Sequence, residues 1–126
     1  MNILLDTHIY LWWLNWQKPL AQKARQIIED AEIVYVSAIS IWEIGIKIQS
    51  RKFDVDINKL INEISANDFH ELPVIANHTK ALMTLKRHHG DPFDRMLVAQ
   101  AISEPLHFLT ADHSLTPYAP ELIIAV

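Results

Sequence analysis

The sequence predicts a three-layer α/β/α domain, in which helices cover both faces of a central, mainly parallel sheet. Three observations support this class. Short apolar runs alternate with helical patterns along the chain, half of the residues are hydrophobic, and 126 residues are enough to bury one core. No repeat, composition shift or linker-like run divides the chain, so we expect residues 1–126 to form one domain.

The first half of the chain contains two predicted strands and three predicted helices. Residues 2–5 are apolar and predict a strand, and a stripe at i, i+3, i+4 and i+7 predicts a helix over residues 9–16. The stripe consists of Ile9, Trp12, Trp13 and Trp16. A proline and a leucine open a second helix over residues 20–31. The short, mainly β-branched run at residues 33–36 predicts a strand, which is followed by a helix over residues 38–50.

The second half continues the same alternation. Helices are predicted over residues 57–66 and 75–87, with a short strand around residues 69–72 between them. Asp91 and Pro92 are typical of a helix start and predict a helix over residues 91–103. The last strands are predicted over residues 107–109 and 122–125. Strands separated by helices favour a parallel sheet with helices on both faces.

The composition excludes several kinds of function. Two glycines leave no room for a glycine-rich phosphate loop, and the absence of cysteine excludes disulfides, thiolate zinc sites and iron–sulfur clusters. No apolar run approaches the roughly 18 residues that a membrane-spanning helix needs. The first residues also lack the basic start and the cleavage site of a signal peptide. We therefore expect a cytoplasmic protein that does not enter a membrane.

The charge is acidic overall but unevenly distributed. A net charge of −4 disfavours generic nucleic-acid binding, because neutralisation of phosphates dominates that affinity. Basic residues are nevertheless concentrated at residues 47–52 and 86–95. These stretches are either ordinary surface charge or cations that hold a nucleic-acid backbone. The candidates for the second role are Lys47, Arg51, Arg87 and Arg95.

Four acidic residues directly follow predicted strands or lie near the start of predicted helices. They are Asp6, Glu43, Asp94 and Asp112. In an open parallel sheet, ligands bind at the carboxyl ends of the strands, so these side chains could converge on one edge. Carboxylates brought that close repel one another unless a cation lies between them, and ligation by oxygen alone favours Mg²⁺ or Mn²⁺. The sequence therefore predicts a divalent-metal site.

Each of these residues also has an ordinary structural explanation. Asp6 could cap the following helix, and Glu43 could close a capping box with Ser40. Asp94 could belong to a normal helix start, and Asp112 could be a turn residue. A histidine–carboxylate site for a softer metal is a further alternative. Its candidate imidazoles are His8, His78, His88, His89 and His113.

Four segments resemble the PIN-domain nucleases, and most closely the VapC-like toxins of bacterial toxin–antitoxin pairs. The segments are residues 4–8 (LLDTH), 37–44 (SAISIWEI), 91–101 (DPFDRMLVAQA) and 109–112 (LTAD). They occur in the order of that family and extend over essentially the whole chain. The segment that begins Asp91-Pro92-Phe93-Asp94-Arg95 is fairly specific, whereas an isolated Leu-Asp-Thr is not.

The resemblance implies a PIN-like fold, Mg²⁺ or Mn²⁺ as cofactor, cleavage of RNA, and neutralisation by a small protein antitoxin. It also implies that Asp6 and Asp94 hold the principal metal, with Glu43 and Asp112 helping directly or through water. The small hydroxyl position of the family falls on Thr7. The acidic position at Asp112 is the least regular of the four in such families. A homodimer is expected from the resemblance and from the tryptophan stripe, whose helical spacing favours a core or an interface over stacking on RNA bases.

Three other functions are open at this point. A haloacid-dehalogenase-like phosphatase also begins from an aspartate at a strand end, but it needs a second aspartate where this chain has His8. A receiver domain of two-component signalling needs an acidic pair and a later lysine that have no counterparts here. A non-catalytic PIN-like interaction module would keep the fold without the reaction, and retained metal binding separates it from an enzyme.

Overall fold

The computed structural model describes residues 1–86 and 90–126, and Arg87, His88 and His89 lie outside the described residues. The strands are β1 (Asn2–Leu5), β2 (Ile33–Ser37), β3 (His70–Leu72), β4 (His107–Thr110) and β5 (Ile123–Ala125). The helices are α1 (Thr7–Trp13), α2 (Gln22–Asp30), α3 (Ala38–Gln49), α4 (Ile57–Ala66), α5 (Ala76–Met83) and α6 (Pro92–Ser103). A 3₁₀ helix, which the sequence did not predict, spans His113–Tyr118.

The sheet has five strands in the order β3-β2-β1-β4-β5, and every neighbouring pair is parallel. Leu5 of β1 lies opposite Val36 on one side and Leu109 on the other. The chain therefore adds strands first on one side of β1 and then on the other. The carboxyl end of β1 is the switch point, where open parallel sheets place their ligand sites. The predicted mixed α/β fold with a parallel sheet is confirmed.

Two apolar cores lie on opposite faces of the sheet. Ile3 and Leu5 belong to one core, together with buried residues of α1, α2, α3 and α4. Leu4 points to the other face, because side chains alternate along a strand, and it packs with residues of α6 such as Leu97. Helices on both faces give the three-layer arrangement that the sequence predicted. No helix of the described residues is long and apolar enough to cross a bilayer.

The first helix ends earlier than its apolar stripe predicts. Asn15 adopts a φ of 64°, its amide donates to Trp12 O (2.9 Å), and the Trp16 amide donates to Leu11 O (2.9 Å). This pair of bonds is a Schellman motif with asparagine in the left-handed position, and it stops α1 after Trp13. The second helix also begins two residues later than predicted, at Gln22, and α5 ends at Met83 rather than at residue 87.

The three tryptophans of the stripe are half-buried against the first core. The Trp13 indole donates to Asn67 Oδ1 (3.0 Å), and the Trp16 ring contacts Phe53 with a centroid separation of 4.3 Å. The expectation that they serve packing rather than base stacking therefore agrees with their position. Trp42, by contrast, is an exposed residue, with a relative exposure of 60%.

The Tyr10→Phe variant should lower the free energy of unfolding by about 1 kcal/mol. Tyr10 is fully buried, and its hydroxyl donates to Leu60 O (2.6 Å), which links α1 to α4 across 50 positions of sequence. Urea denaturation monitored by circular dichroism measures the change. Tyr35→Phe, at a half-buried ring on β2, is the matched control and should change stability less. Equal effects of the two variants would contradict a stabilising role for the Tyr10 hydroxyl.

Candidate functional site

Asp6 lies directly after β1, at the switch point of the sheet. Its amide donates to Leu109 O (2.9 Å), and only 7% of the residue is exposed. One carboxylate oxygen, Oδ1, accepts from the Thr7 amide (2.7 Å), and the other, Oδ2, accepts from Thr110 Oγ1 (2.5 Å). Burial raises the pKa of Asp6 above its ordinary value, while these two hydrogen bonds oppose the shift. Asp6 does cap α1, as one explanation held, but it is also a buried carboxylate beside other acids.

Glu43 projects from α3 toward Asp6 and is 5% exposed. Its Oε1 accepts from Thr7 Oγ1 (2.7 Å), and its Oε2 forms an ion pair with Lys47 Nζ (3.2 Å). The capping-box explanation for Glu43 is wrong, because the N-cap of α3 is Ser37, whose hydroxyl accepts from the Ile39 amide (3.0 Å). Glu43 therefore lies well inside the helix, on the side that faces Thr7 and Asp6.

Asp94 occupies the first turn of α6 and is half-exposed. Asp91 is the N-cap of this helix and accepts from the amides of Phe93 (2.8 Å) and Asp94 (3.1 Å). Burial, followed by the charges of Asp6, Asp91, Glu43 and Asp112, raises the pKa of Asp94 to about 8. The other predicted carboxylates therefore act on this group electrostatically, which identifies Asp94 as the focus of the acidic cluster.

Asp112 begins the 3₁₀ helix after β4. Its Oδ1 accepts from the amide (3.0 Å) and the hydroxyl (2.6 Å) of Ser114, so the turn explanation describes part of its role. Its amide donates to Thr110 Oγ1 (3.0 Å). Asp112 also contributes to the raised pKa of Asp94, which places it in the same cluster of negative charge.

The four carboxylates are chemically suitable ligands for a hard divalent cation. All four carboxylates offer oxygen, and their mutual repulsion at Asp94 is what a cation would relieve. Within residues 1–86 and 90–126, however, no three acidic or histidine side chains are close enough to enclose an ion. A metal held here would therefore be bound directly by fewer than three of these side chains, with water completing its coordination, or by carboxylates in other rotamers.

The described histidines of the softer-metal alternative, which are His8, His78 and His113, are dispersed. His78 is 1% exposed on α5, and its Nε2 contacts Glu104 Oε2 at 2.5 Å. His8 packs against the Trp12 ring, with a centroid separation of 5.6 Å, and His113 Nε2 lies 3.3 Å from Val126 O. The finding that no three described acidic or histidine groups enclose a metal applies to this alternative as well. His88 and His89 lie outside the described residues.

The candidate RNA-contacting cations have different surroundings. Lys47 pairs with Glu43 and lies 5.2 Å from the centroid of the Phe53 ring. Arg95 donates from Nη1 to Lys86 O (2.9 Å) and to the Tyr118 hydroxyl (3.1 Å). Arg51 is exposed and has a φ of 61° just after α3, whereas Arg87 lies outside the described residues.

Sequence reasoning missed two buried hydroxyls of the site. Thr110 is fully buried and joins Asp6 to the Asp112 amide, and Ser40 Oγ lies 3.0 Å from Thr7 Oγ1. The available signal for Thr110 was its place at the end of a strand that pairs with β1. Threonine is common in strands, so this position alone did not distinguish it.

Comparison with known proteins agrees with the fold. A family model of the PIN domain matches residues 3–119. Ribonuclease VapC22 of Mycobacterium tuberculosis is 29% identical over 118 residues, which are 90% of this chain and 89% of that protein. Its similarity therefore extends over nearly all of both sequences.

Solved structures show the same fold. A structure of VapBC2 from Rickettsia felis bound to a DNA fragment from their promoter superposes with a TM-score of 0.74 at 13% identity, covering 99% of this chain and 98% of that one. A structure of FitAcB from Neisseria gonorrhoeae superposes with a TM-score of 0.69 at 18% identity, covering 97% and 96%. Because the family model matches residues 3–119, nearly the whole length, this chain belongs to the PIN domain family.

Proposed function

We propose that this protein is an endoribonuclease that depends on Mg²⁺ or Mn²⁺ and acts as the toxin of a toxin–antitoxin pair. The observation that carries the proposal is the acidic cluster at the carboxyl end of β1, where burial and then the charges of the neighbouring carboxylates raise the pKa of Asp94 to about 8. Phosphodiester hydrolysis commonly uses such carboxylates to hold a divalent ion. The similarity to Ribonuclease VapC22 supports RNA as the substrate.

Asp6 and Asp94 are the proposed principal ligands, and Glu43 and Asp112 complete the site directly or through water. A bound divalent ion supplies Lewis-acid polarisation of the scissile phosphate and an acidified water. Thr7 holds Glu43 through its hydroxyl and Asp6 through its amide, so one residue fixes two of the carboxylates. Glu43 or Asp112 would orient the attacking water. One or two ions are both compatible with this donor set.

Basic side chains and the N-terminus of α6 are the proposed binding groups for the RNA backbone. The first turn of α6 carries Asp94, and the positive end of the helix dipole favours both an ionised carboxylate and a bound phosphate. Lys47 lies beside Glu43 and places positive charge at the edge of the acidic cluster. Arg51, Arg87 and Arg95 are the further proposed backbone contacts, a role that their charge and their places in the sequence support.

A protein antitoxin is the proposed partner that silences the site. The structural neighbours include a toxin–antitoxin complex from Klebsiella pneumoniae, with a TM-score of 0.67 at 13% identity, covering 98% of this chain and 96% of that one. An apolar groove of about 640 Å³ between α3 and α4 exposes Trp42, Ile46 and Ile61. Exposed apolar surface of this kind is typical of protein-binding sites.

We also propose that the protein forms a homodimer, which sedimentation of the purified chain would test. Its proposed place of action is the cytoplasm.

Metal removal tests the reaction. Purified protein without antitoxin is incubated with a panel of structured RNAs and Mn²⁺, then with EDTA, then with Mn²⁺ restored. We expect cleavage that EDTA abolishes and that added Mn²⁺ recovers. Cleavage that persists in EDTA would contradict metal dependence. Hydrolysis of a phosphomonoester in place of RNA would favour the phosphatase alternative. Mn²⁺ binding without cleavage of any RNA in the panel would favour the non-catalytic interaction module.

A further inference from the structure

Thr110 is a fully buried residue with its hydroxyl between two parts of the acidic cluster. Its Oγ1 donates to Asp6 Oδ2 (2.5 Å) and accepts from the Asp112 amide (3.0 Å). A threonine hydroxyl has one proton to donate, and that proton is used on Asp6. Thr110 therefore connects the first and the last of the four carboxylate residues without itself reaching the surface.

The backbone fixes this hydroxyl in place. Leu5 of β1 pairs with Leu109 of β4, and the Asp6 amide donates to Leu109 O (2.9 Å), so Thr110 lies beside Asp6 at the strand ends. On its other side, Thr110 O accepts from the Val126 amide (2.9 Å). Two neighbouring strands thus hold Thr110, and the position of its hydroxyl follows from the sheet register.

Glu43 and Asp6, the two most buried carboxylates of the cluster, each accept a hydrogen bond from a threonine hydroxyl. Thr7 Oγ1 donates to Glu43 Oε1 at 2.7 Å, and Thr110 Oγ1 donates to Asp6 Oδ2 at 2.5 Å. The Thr7 amide donates to the remaining oxygen of Asp6, Oδ1, at 2.7 Å. A continuous hydrogen-bonded chain therefore runs from Glu43 through Thr7, Asp6 and Thr110 to the Asp112 amide.

We propose that Thr110 is a positioning residue for the metal site. It sets the rotamer of Asp6 and ties the turn that carries Asp112 to that carboxylate. From the described residues, each oxygen of Asp6 receives one hydrogen bond, and a carboxylate oxygen has two lone pairs, so a second lone pair on each can face a cation. Partners that orient metal ligands commonly change metal affinity by roughly 10- to 100-fold when they are removed. This inference rests on the proposed metal-dependent function.

A purely local role for Thr110 is the competing explanation. A hydroxyl that accepts from the amide two residues later forms an ordinary turn, and such a turn would stabilise the fold without affecting a cation. The two roles differ in what they change. Loss of a turn alone lowers the melting temperature in EDTA, whereas loss of ligand orientation weakens Mn²⁺ binding by protein that is still folded.

The test compares Thr110→Val, Thr110→Ala and Thr110→Ser by calorimetric titration with Mn²⁺, beside thermal unfolding in EDTA. Valine keeps the shape and removes the hydroxyl, and serine keeps the hydroxyl. Thr79→Val is the matched control, because Thr79 is exposed on α5, donates to Ala76 O and lies outside the acidic cluster. The alanine variant serves the same comparison should the valine variant fail to fold.

We expect the Kd for Mn²⁺ to rise by about tenfold or more in the valine and alanine variants. Serine should restore most of the affinity, and Thr79→Val should leave it unchanged. An unchanged Kd in folded Thr110→Val or Thr110→Ala, beside a wild type that binds Mn²⁺, would overturn the role of Thr110 alone. A wild type that binds no Mn²⁺ would instead overturn the metal site itself, and with it this role.

Discussion

Replacement of Asp94 by asparagine is expected to lower RNA cleavage by at least about a thousandfold. A bound metal contributes several kcal/mol to stabilising the transition state of phosphate chemistry, and each 1.4 kcal/mol corresponds to roughly a factor of ten in rate. Burial, together with the charges of the other acids of the cluster, raises the pKa of Asp94 to about 8. Asparagine keeps the size of the side chain and removes the charge that would bind the cation.

The same substitution should leave the metal-free protein folded and no less stable. In EDTA at about pH 8 and above, where Asp94 is ionised, it is repelled by Asp6, Asp91, Glu43 and Asp112, and a neutral asparagine side chain would remove that repulsion. Asp91→Asn is the matched control. It removes one charge from the same helix start, and asparagine is as good an N-cap as aspartate. We expect Asp91→Asn to keep cleavage within about tenfold of wild type. Full activity in Asp94→Asn, or equal losses in both variants, would refute the special role of Asp94.

Displacement of the Asp94 proton alone should weaken Mn²⁺ binding by up to about tenfold for each pH unit below 8. With a pKa of about 8, Asp94 is protonated at pH 6 in the metal-free protein, and a cation must displace that proton. The raised pKa of Asp6 acts in the same direction. Titration calorimetry at pH 6, 7 and 8, in buffers with different ionisation enthalpies, measures the affinity and the number of protons released. An affinity that is independent of pH, with no proton release, would contradict this coupling.

The stability of the metal-free protein should show the opposite trend. The folded-state pKa of Asp94, about 8, exceeds the value of about 3.9 in an unfolded chain, so the folded protein binds more protons between these limits. Its free energy of unfolding therefore falls as pH rises from about 4 to about 8. Thermal unfolding in EDTA measures this decline, which Asp94→Asn should reduce. A midpoint that rises through this window in the wild type would show that other groups dominate.

The architecture could be predicted largely because it depends on local patterns. Alternation of apolar runs with helical spacing predicted a parallel sheet with helices on both faces, and residues 2–5 were identified as a strand that ends on Asp6. The order of the strands could not be predicted in this way, because it depends on which strands pair. The end of α1 was also missed. Apolar spacing continues to Trp16, but the left-handed conformation of Asn15 stops the helix after Trp13.

The same distinction between local patterns and long-range contacts applies to the candidate site. Position after a strand or at a helix start identified the four acidic residues, and the structure couples them electrostatically at Asp94. What could not be predicted depends on contacts between distant parts of the chain. Thr110 meets Asp6 across 104 positions of sequence, and Thr7 meets Glu43 across 36. The capping explanation for Glu43 was wrong for a local reason, since Ser37 rather than Ser40 begins the helix.

The location of bound Mn²⁺ in crystals of the wild-type protein tests the central claim most directly. Anomalous scattering identifies the ion without assumptions about its ligands. We expect a peak in contact with the carboxylates of Asp6 and Asp94. A peak at histidine side chains and none at these carboxylates, in protein that cleaves RNA only with Mn²⁺, would contradict the assignment of the site.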